Sequence, residues 1–150
     1  MSAMPYGDYP APKRVALLGW LGLLPFLLPP IVGFFQNGWA PTLTAVEATY
    51  AGLILSFLGG ARWGQAIQTE RPDCTVVSLA MLPTIVALVL LAAPSVSPGV
   101  RMGGLAFALV LHWLWDIRAV GLPPWYASLR TKLTIGAVIG LLAAIVILPG

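Results

Sequence analysis

The sequence predicts an all-α fold: a polytopic membrane bundle of five transmembrane helices, with the N-terminus on the cytoplasmic side and the C-terminus outside. Three observations predict it. The first is composition. Hydrophobic residues make up 59% of the 150-residue chain and charged residues only 9%, against roughly 25% charged in an ordinary soluble domain. Mean hydropathy is +0.90. Eight basic and five acidic side chains cannot cover a water-facing exterior, so hydrocarbon must be the outer solvent. The second is continuity. Apolar runs of about 16 to 21 residues suit spanning helices and exclude the alternating pattern of a membrane barrel. The third is charge placement. Lys13, Arg14, Arg71, Arg118, Arg130 and Lys132, with Arg62 close by, fall on one side of the predicted membrane, and only Arg101 on the other; short basic loops stay cytoplasmic.

Residues 1–12, with Pro5, Pro10 and Pro12, predict a disordered or interfacial tail. Residues 13–150 form a single transmembrane domain. Its first helix covers about 14–35. Lys13 and Arg14 would suit a signal peptide, but the run from Val15 to Phe35, about 21 residues, exceeds the roughly 7–15 of a signal segment. Asn37-Gly38 and Pro41 end it. The second helix covers about 44–68, with Thr44 as N-cap and Glu47 at the capping-box position. Pro72 breaks the next loop. The third helix covers about 75–93, and Pro94 to Gly99 make a tight turn. The fourth covers about 100–119. Pro123 and Pro124 then interrupt the chain, and Arg130 and Lys132 lead into a fifth helix over about 132–148.

Charged groups at membrane depth cost roughly 2.5–3.5 kcal/mol on insertion scales and so face partners. The second helix carries Glu47 near its outer end and Arg62 near its inner end; the fourth carries Arg101 outside and Asp116 inside. Both spacings are 15 residues, about 22 Å of rise and within about 60° on one face. Side by side, the helices would form Glu47–Arg101 and Arg62–Asp116 pairs. The plainer alternative is that Glu47 and Arg101 snorkel to the boundary. His112 lies one turn before Asp116 on the stripe Arg101-Leu105-Ala108-His112-Asp116. A proton relay or ligand contact is open to it; a hydrogen-bonded packing histidine near the cytoplasmic edge is the preferred reading.

Gly52, Ser56, Gly60 and Gly64 recur every four residues on another face of the second helix, a small-residue ridge that lets backbones approach closely in lipid. Gly136 and Gly140 repeat the spacing on the fifth helix, which makes that helix the candidate partner. Trp39 should mark the outer boundary. Trp63, Trp113, Trp115, Trp125 and Tyr126 belong to the inner one, where they form an aromatic rim around Arg62, His112 and Asp116 that suits a flat ligand or lipid headgroups. Leu24-Pro25 is echoed by Leu82-Pro83, too short a match to establish a repeat.

Cys74 is the single cysteine and His112 the single histidine, so neither an intrachain disulfide, a cysteine cluster nor bis-histidine haem ligation can form. The chain has no Gly-rich phosphate loop, no nucleophile paired with a base, and no metal-ligand cluster; no catalytic residue or metal site is expected. A basic patch with interleaved aromatics is absent too, which argues against nucleic acid.

The segment Ile54-Leu55-Ser56-Phe57-Leu58-Gly59-Gly60-Ala61-Arg62-Trp63-Gly64, the segment Pro124-Trp125-Tyr126-Ala127-Ser128-Leu129-Arg130-Thr131-Lys132-Leu133-Thr134, and the Leu21-x-x-Leu24-Pro25 pattern resemble an uncharacterised bacterial inner-membrane family whose mitochondrial relatives are called transmembrane protein 69. The resemblance spans nearly the whole chain. It implies a small multi-pass protein of the bacterial inner membrane and carries over no activity, cofactor or catalytic residue. That family often has a residue other than Arg before the Trp-Gly pair, so an Arg62–Asp116 pair would be particular to this chain. The expected function is that of a non-catalytic accessory subunit or assembly factor, with lipid and other membrane subunits as partners and no cofactor. A small transporter or channel, or a quinone- or lipid-binding protein, is the alternative. A polar path is opposed by the dry centre of the charged stripe at Ala51, Ile54, Leu58, Leu105 and Ala108.

Overall fold

A computed structural model describes residues 11–119 and 122–148; most of the predicted tail and the C-terminal Pro149-Gly150 lie outside these. The first apolar run forms α1 (Lys13–Leu21) and α2 (Leu24–Phe35). A single turn of 3-10 helix (Asn37–Trp39) leads into α3 (Ala40–Ala66). The third run forms α4 (Cys74–Leu79) and α5 (Leu82–Ala92); α6 (Pro98–Asp116) and α7 (Pro124–Ile147) complete the described chain. Four of these stretches are long and apolar enough to cross a membrane: Lys13–Phe35, Ala40–Ala66, Cys74–Ala92 and Pro124–Ile147. Together they make this an all-helical, multi-pass membrane protein.

α6 is not among these four, with Arg101, His112, Asp116 and three glycines among its 19 residues. Yet it runs the length of the bundle. Gly99 at its start lies beside Ile145 near the end of α7, and Asp116 at its end meets Arg130 near the start of α7. Similar contacts make each successive stretch antiparallel to the last. Ser56 hydrogen-bonds Thr84 (3.0 Å), and Tyr50 donates to the Gly22 carbonyl (2.9 Å). α3 and α6 occupy the middle. α3 packs on α2, α5 and α6, and α6 on α3, α5 and α7, while α2 closes against α7. The core they enclose includes Phe26, Leu55, Met102, Leu105, Leu109 and Leu141.

Prolines set the helix starts. α3 begins at Ala40 with Pro41 in its first turn, and α7 at Pro124 with Pro123 as its N-cap residue. Both begin earlier than the predicted 44 and 132. Proline fits the first turn because its missing N–H would be unpaired there anyway and its φ is already helical. The expected capping box is therefore corrected: Thr44 and Glu47 lie inside α3, on its buried face. Side-chain caps occur elsewhere, where Asp73 accepts from Thr75 N (2.8 Å) and Ser97 from Val100 N (3.4 Å).

The first and third stretches break at equivalent places. Gly22-Leu23 separates α1 from α2 immediately before Leu24-Pro25, and Ala80-Met81 separates α4 from α5 immediately before Leu82-Pro83. Each proline removes a donor from the i→i−4 ladder. At the first break the Phe26 amide bonds Leu23 instead of Gly22, and the Gly22 carbonyl takes the Tyr50 hydroxyl. At the second, Gly59 lets α3 lie against the Ala80 carbonyl, which would sit 2.6 Å from any Cβ at that position.

The glycine ridges have different partners from the predicted ones. Gly52 faces Leu91 and Ala87, so the ridge of α3 packs on α5 rather than α7. Gly136 faces Leu23, and Gly140 faces the Phe26 backbone, so the α7 ridge packs on α2. Gly60 and Gly64 have nothing within 4 Å of a built Cβ.

A buried ion cluster beside an apolar cavity

Asp116 ends α6 with its side chain turned into the bundle, 2% exposed. Three basic side chains surround it. Arg130 of α7 donates from Nε to Oδ2 at 3.0 Å. Arg62 of α3 places Nε 3.9 Å from Oδ1. His112, one turn back on α6, places Nδ1 3.4 Å from Oδ2. The cluster thus joins α3, α6 and α7 at the end of the bundle where the described chain begins. Helical spacing explains why one face of α6 supplies two members, since positions i and i+4 lie one above the other.

The rest of the site orients these groups. Arg130 donates from Nη1 to Thr134 Oγ1 (2.6 Å), and Thr134 donates back to the Arg130 carbonyl (2.9 Å). Arg62 lies over the Trp115 ring, 4.6 Å from its centroid, a cation–π contact that favours a planar guanidinium. Trp115 also meets His112 edge to face. Trp113 donates Nε1 to Thr131 Oγ1 at 2.9 Å, tying α6 to α7. Several polar atoms are left over: Arg62 Nε, both nitrogens of His112, and Arg130 Nη2 are buried without a hydrogen-bond partner.

Two cavities flank the cluster. One, of about 420 Å³, lies between α1–α2, α3 and α7; Leu23, Phe26, Leu58, Tyr126, Arg130 and Leu133 are among the residues lining it. Leu18 and Phe57, 69% and 70% exposed, also line it, so it reaches the lipid-facing surface. The other, of about 290 Å³, lies between α3, α4–α5 and α6 and is bounded by Pro83, His112 and Trp115. Each cavity abuts one of the broken stretches.

The structure brings Arg62 and Asp116 to ion-pair distance and corrects three expectations. Arg130, assigned to the lead-in before the fifth helix, is 7% exposed and the partner nearest Asp116. His112 is buried beside Asp116 but hydrogen-bonded through neither ring nitrogen. The Glu47–Arg101 pair does not form. Arg101 instead donates to the Leu90, Ala93 and Val96 carbonyls at 2.9, 3.3 and 3.4 Å, capping the C-terminal end of α5, where carbonyls lack helical donors and cations are favoured. Glu47 is fully buried with both carboxyl oxygens unpartnered, and Thr44 Oγ1, one turn away, is unpartnered too. Of the aromatic residues, Trp115 joins the cluster, Trp125 and Tyr126 line the larger cavity, and Trp63 and Trp39 remain 41% and 59% exposed. Among the described residues no group of three or more metal-ligating side chains converges.

The sequence pattern of a family described as "Protein of unknown function (DUF3429)" matches residues 11–146. The chain belongs to that family. It is 30% identical over 141 residues to Transmembrane protein 69 of Xenopus tropicalis, covering 91% of this chain and 55% of that protein. Over 78 residues it is also 30% identical to Transmembrane protein 69 of Mus musculus, covering 50% of this chain and 32% of that protein. The chain thus spans about half, or less, of the length of these relatives. No solved structure matches it. In this DUF3429 protein the ion cluster draws on both of the motifs that carry the family resemblance, Arg62 from the first and Arg130 with Thr134 from the second.

Proposed function

We propose that this DUF3429 protein is a non-catalytic, five-pass protein of the bacterial inner membrane that holds one amphipathic molecule of the bilayer in the cavity between α1–α2, α3 and α7. Support for a fifth crossing comes from α6, which runs antiparallel between two apolar stretches from one end of the bundle to the other. Its polar face is turned inward, and its exposed side is Val100, Phe107 and Leu111. An N-in orientation is supported by the basic side chains gathered at the end that holds Arg14, Arg62, Arg118 and Arg130, with Arg101 at the opposite end.

One observation carries the ligand reading: a space of about 420 Å³, walled by apolar side chains, that opens between exposed Leu18 and Phe57 and also borders Arg130. Binding pockets are typically 300–1,000 Å³, mostly apolar, with a few placed polar groups. Native mass spectrometry of the chain released from mild detergent tests it. A retained species of several hundred daltons is expected, and Ala137→Phe, which fills the cavity from its α7 wall, should lose it. Bare wild-type protein, or equal retention by the variant, contradicts the proposal.

A second reading, an accessory or assembly subunit of a larger membrane complex, is favoured by Gly60 and Gly64, which lie in register on α3 and are open to approach. Small residues at this spacing let a partner helix come close. Migration of the gently extracted chain as a monomer on native gels would count against it.

A further inference from the structure

We infer that the molecule held in the larger cavity is an anionic amphiphile, and that Arg130 recognises its negative group. The inference rests on the cavity reading above and adds the chemistry of the occupant.

Charge comes first. The buried cluster holds one carboxylate, Asp116, against two permanent cations, Arg62 and Arg130. With His112 neutral the surplus is one positive charge, and with His112 protonated it is larger. Among the described residues no other acid offsets it. Among the described residues only Arg62, His112 and Arg130 come within 4.0 Å of a carboxylate, and that carboxylate is Asp116 in every case. Glu47 sits 15 residues from Arg62 on α3, about 22 Å along the helix. A surplus charge in a low-dielectric site is costly without a counter-charge.

Geometry points the same way. A guanidinium has five N–H donors in a planar fork. Arg130 uses Nε on Asp116 and Nη1 on Thr134, and Nη2 is buried with no partner. Arg130 lines the cavity whose remaining wall includes Leu23, Phe26, Leu58 and Leu133. An acyl chain against those apolar side chains, with its negatively charged group beside the Arg130 guanidinium, would supply the counter-charge that the cluster lacks. A quinone, being uncharged, would supply none. Two molecules share the required chemistry: the phosphate diester of an acidic phospholipid and the carboxylate of a fatty acid.

Trp125 also lines the cavity, so chains carrying bromine atoms should quench its fluorescence. The full chain in a neutral detergent is titrated separately with brominated phosphatidylglycerol, phosphatidylcholine and fatty acid. Half-quenching by one or both anions is expected at a concentration about tenfold below that of phosphatidylcholine, a preference equivalent to one decade in affinity. The anion that quenches at lower concentration identifies the source. Trp125→Phe should remove most of the saturable signal. Arg130→Gln should abolish the preference, and Arg130→Lys should keep part of it. Equal quenching by phosphatidylcholine and both anions would overturn the charge inference and leave the cavity reading intact; no saturable quenching by any of the three would overturn both. The headgroup comparison uses wild-type protein, so it decides the matter even if Arg130→Gln fails to fold.

Discussion

The two ends of the α3–α6 pair carry the same kinds of residue and resolve them in opposite ways. At one end Asp116 is ringed by Arg130, Arg62 and His112. At the other, Glu47 is equally buried and touches no donor, while Arg101 turns to the backbone carbonyls of α5 and its following turn. The difference lies in what else the third helix in reach offers. α7 brings Arg130 and Thr134 to the first end. At the second, the end of α5 presents unpaired carbonyls, and these take the guanidinium that opposite charge alone would assign to Glu47. Matching signs at matching depth do not make a pair when a helix terminus competes for the cation.

The largest expected effect breaks the paired end. Asp116→Leu leaves two guanidinium groups without an anion and should cost roughly 3–5 kcal/mol, the range for removing one partner of a buried ion pair. Unfolding by sodium dodecyl sulfate in mixed micelles, followed by circular dichroism, measures it. A loss below 1 kcal/mol would mean that water or lipid headgroups already satisfy the cluster.

A smaller effect separates packed from open glycines. A Cβ at Gly140 would meet the Phe26 backbone, whereas one at Gly60 meets nothing. Gly140→Val should cost about 1–3 kcal/mol, as overpacking does, and Gly60→Ala should stay within about 0.5 kcal/mol. Equal effects in the same assay would argue against the α2–α7 contact. The smallest effect belongs to the unpaired end. Glu47→Gln removes no partner and should change stability by less than about 1 kcal/mol; a loss like that of Asp116→Leu would reveal an unseen donor.

The helices themselves were legible in the sequence, because runs of apolar residues long enough to cross a bilayer admit little else. The starts of α3 and α7 were not. Pro41 and Pro124 read as breakers, yet in the first turn of a helix a proline is well placed, so α3 and α7 begin earlier and carry Glu47 and Arg130 into the bundle. Counting α7 from Pro124 would have put Arg130 nearly two turns inside and marked it as a candidate partner for Asp116. The ridge partners could not be read, since glycine spacing shows which face is smooth and not which helix lies on it. The Arg62–Asp116 contact was within reach because both residues end their helices on the same side. Glu47 and Arg101 share that logic, and the competing carbonyls that defeat it belong to backbone geometry rather than to residue type.

A pair of double-mutant cycles tests the contrast between the ends most directly. Asp116→Asn with Arg130→Gln should show a coupling of at least about 0.5 and up to roughly 3 kcal/mol, and Glu47→Gln with Arg101→Gln should be additive within about 0.5 kcal/mol. Additive changes at the first pair, or strong coupling at the second, would contradict it.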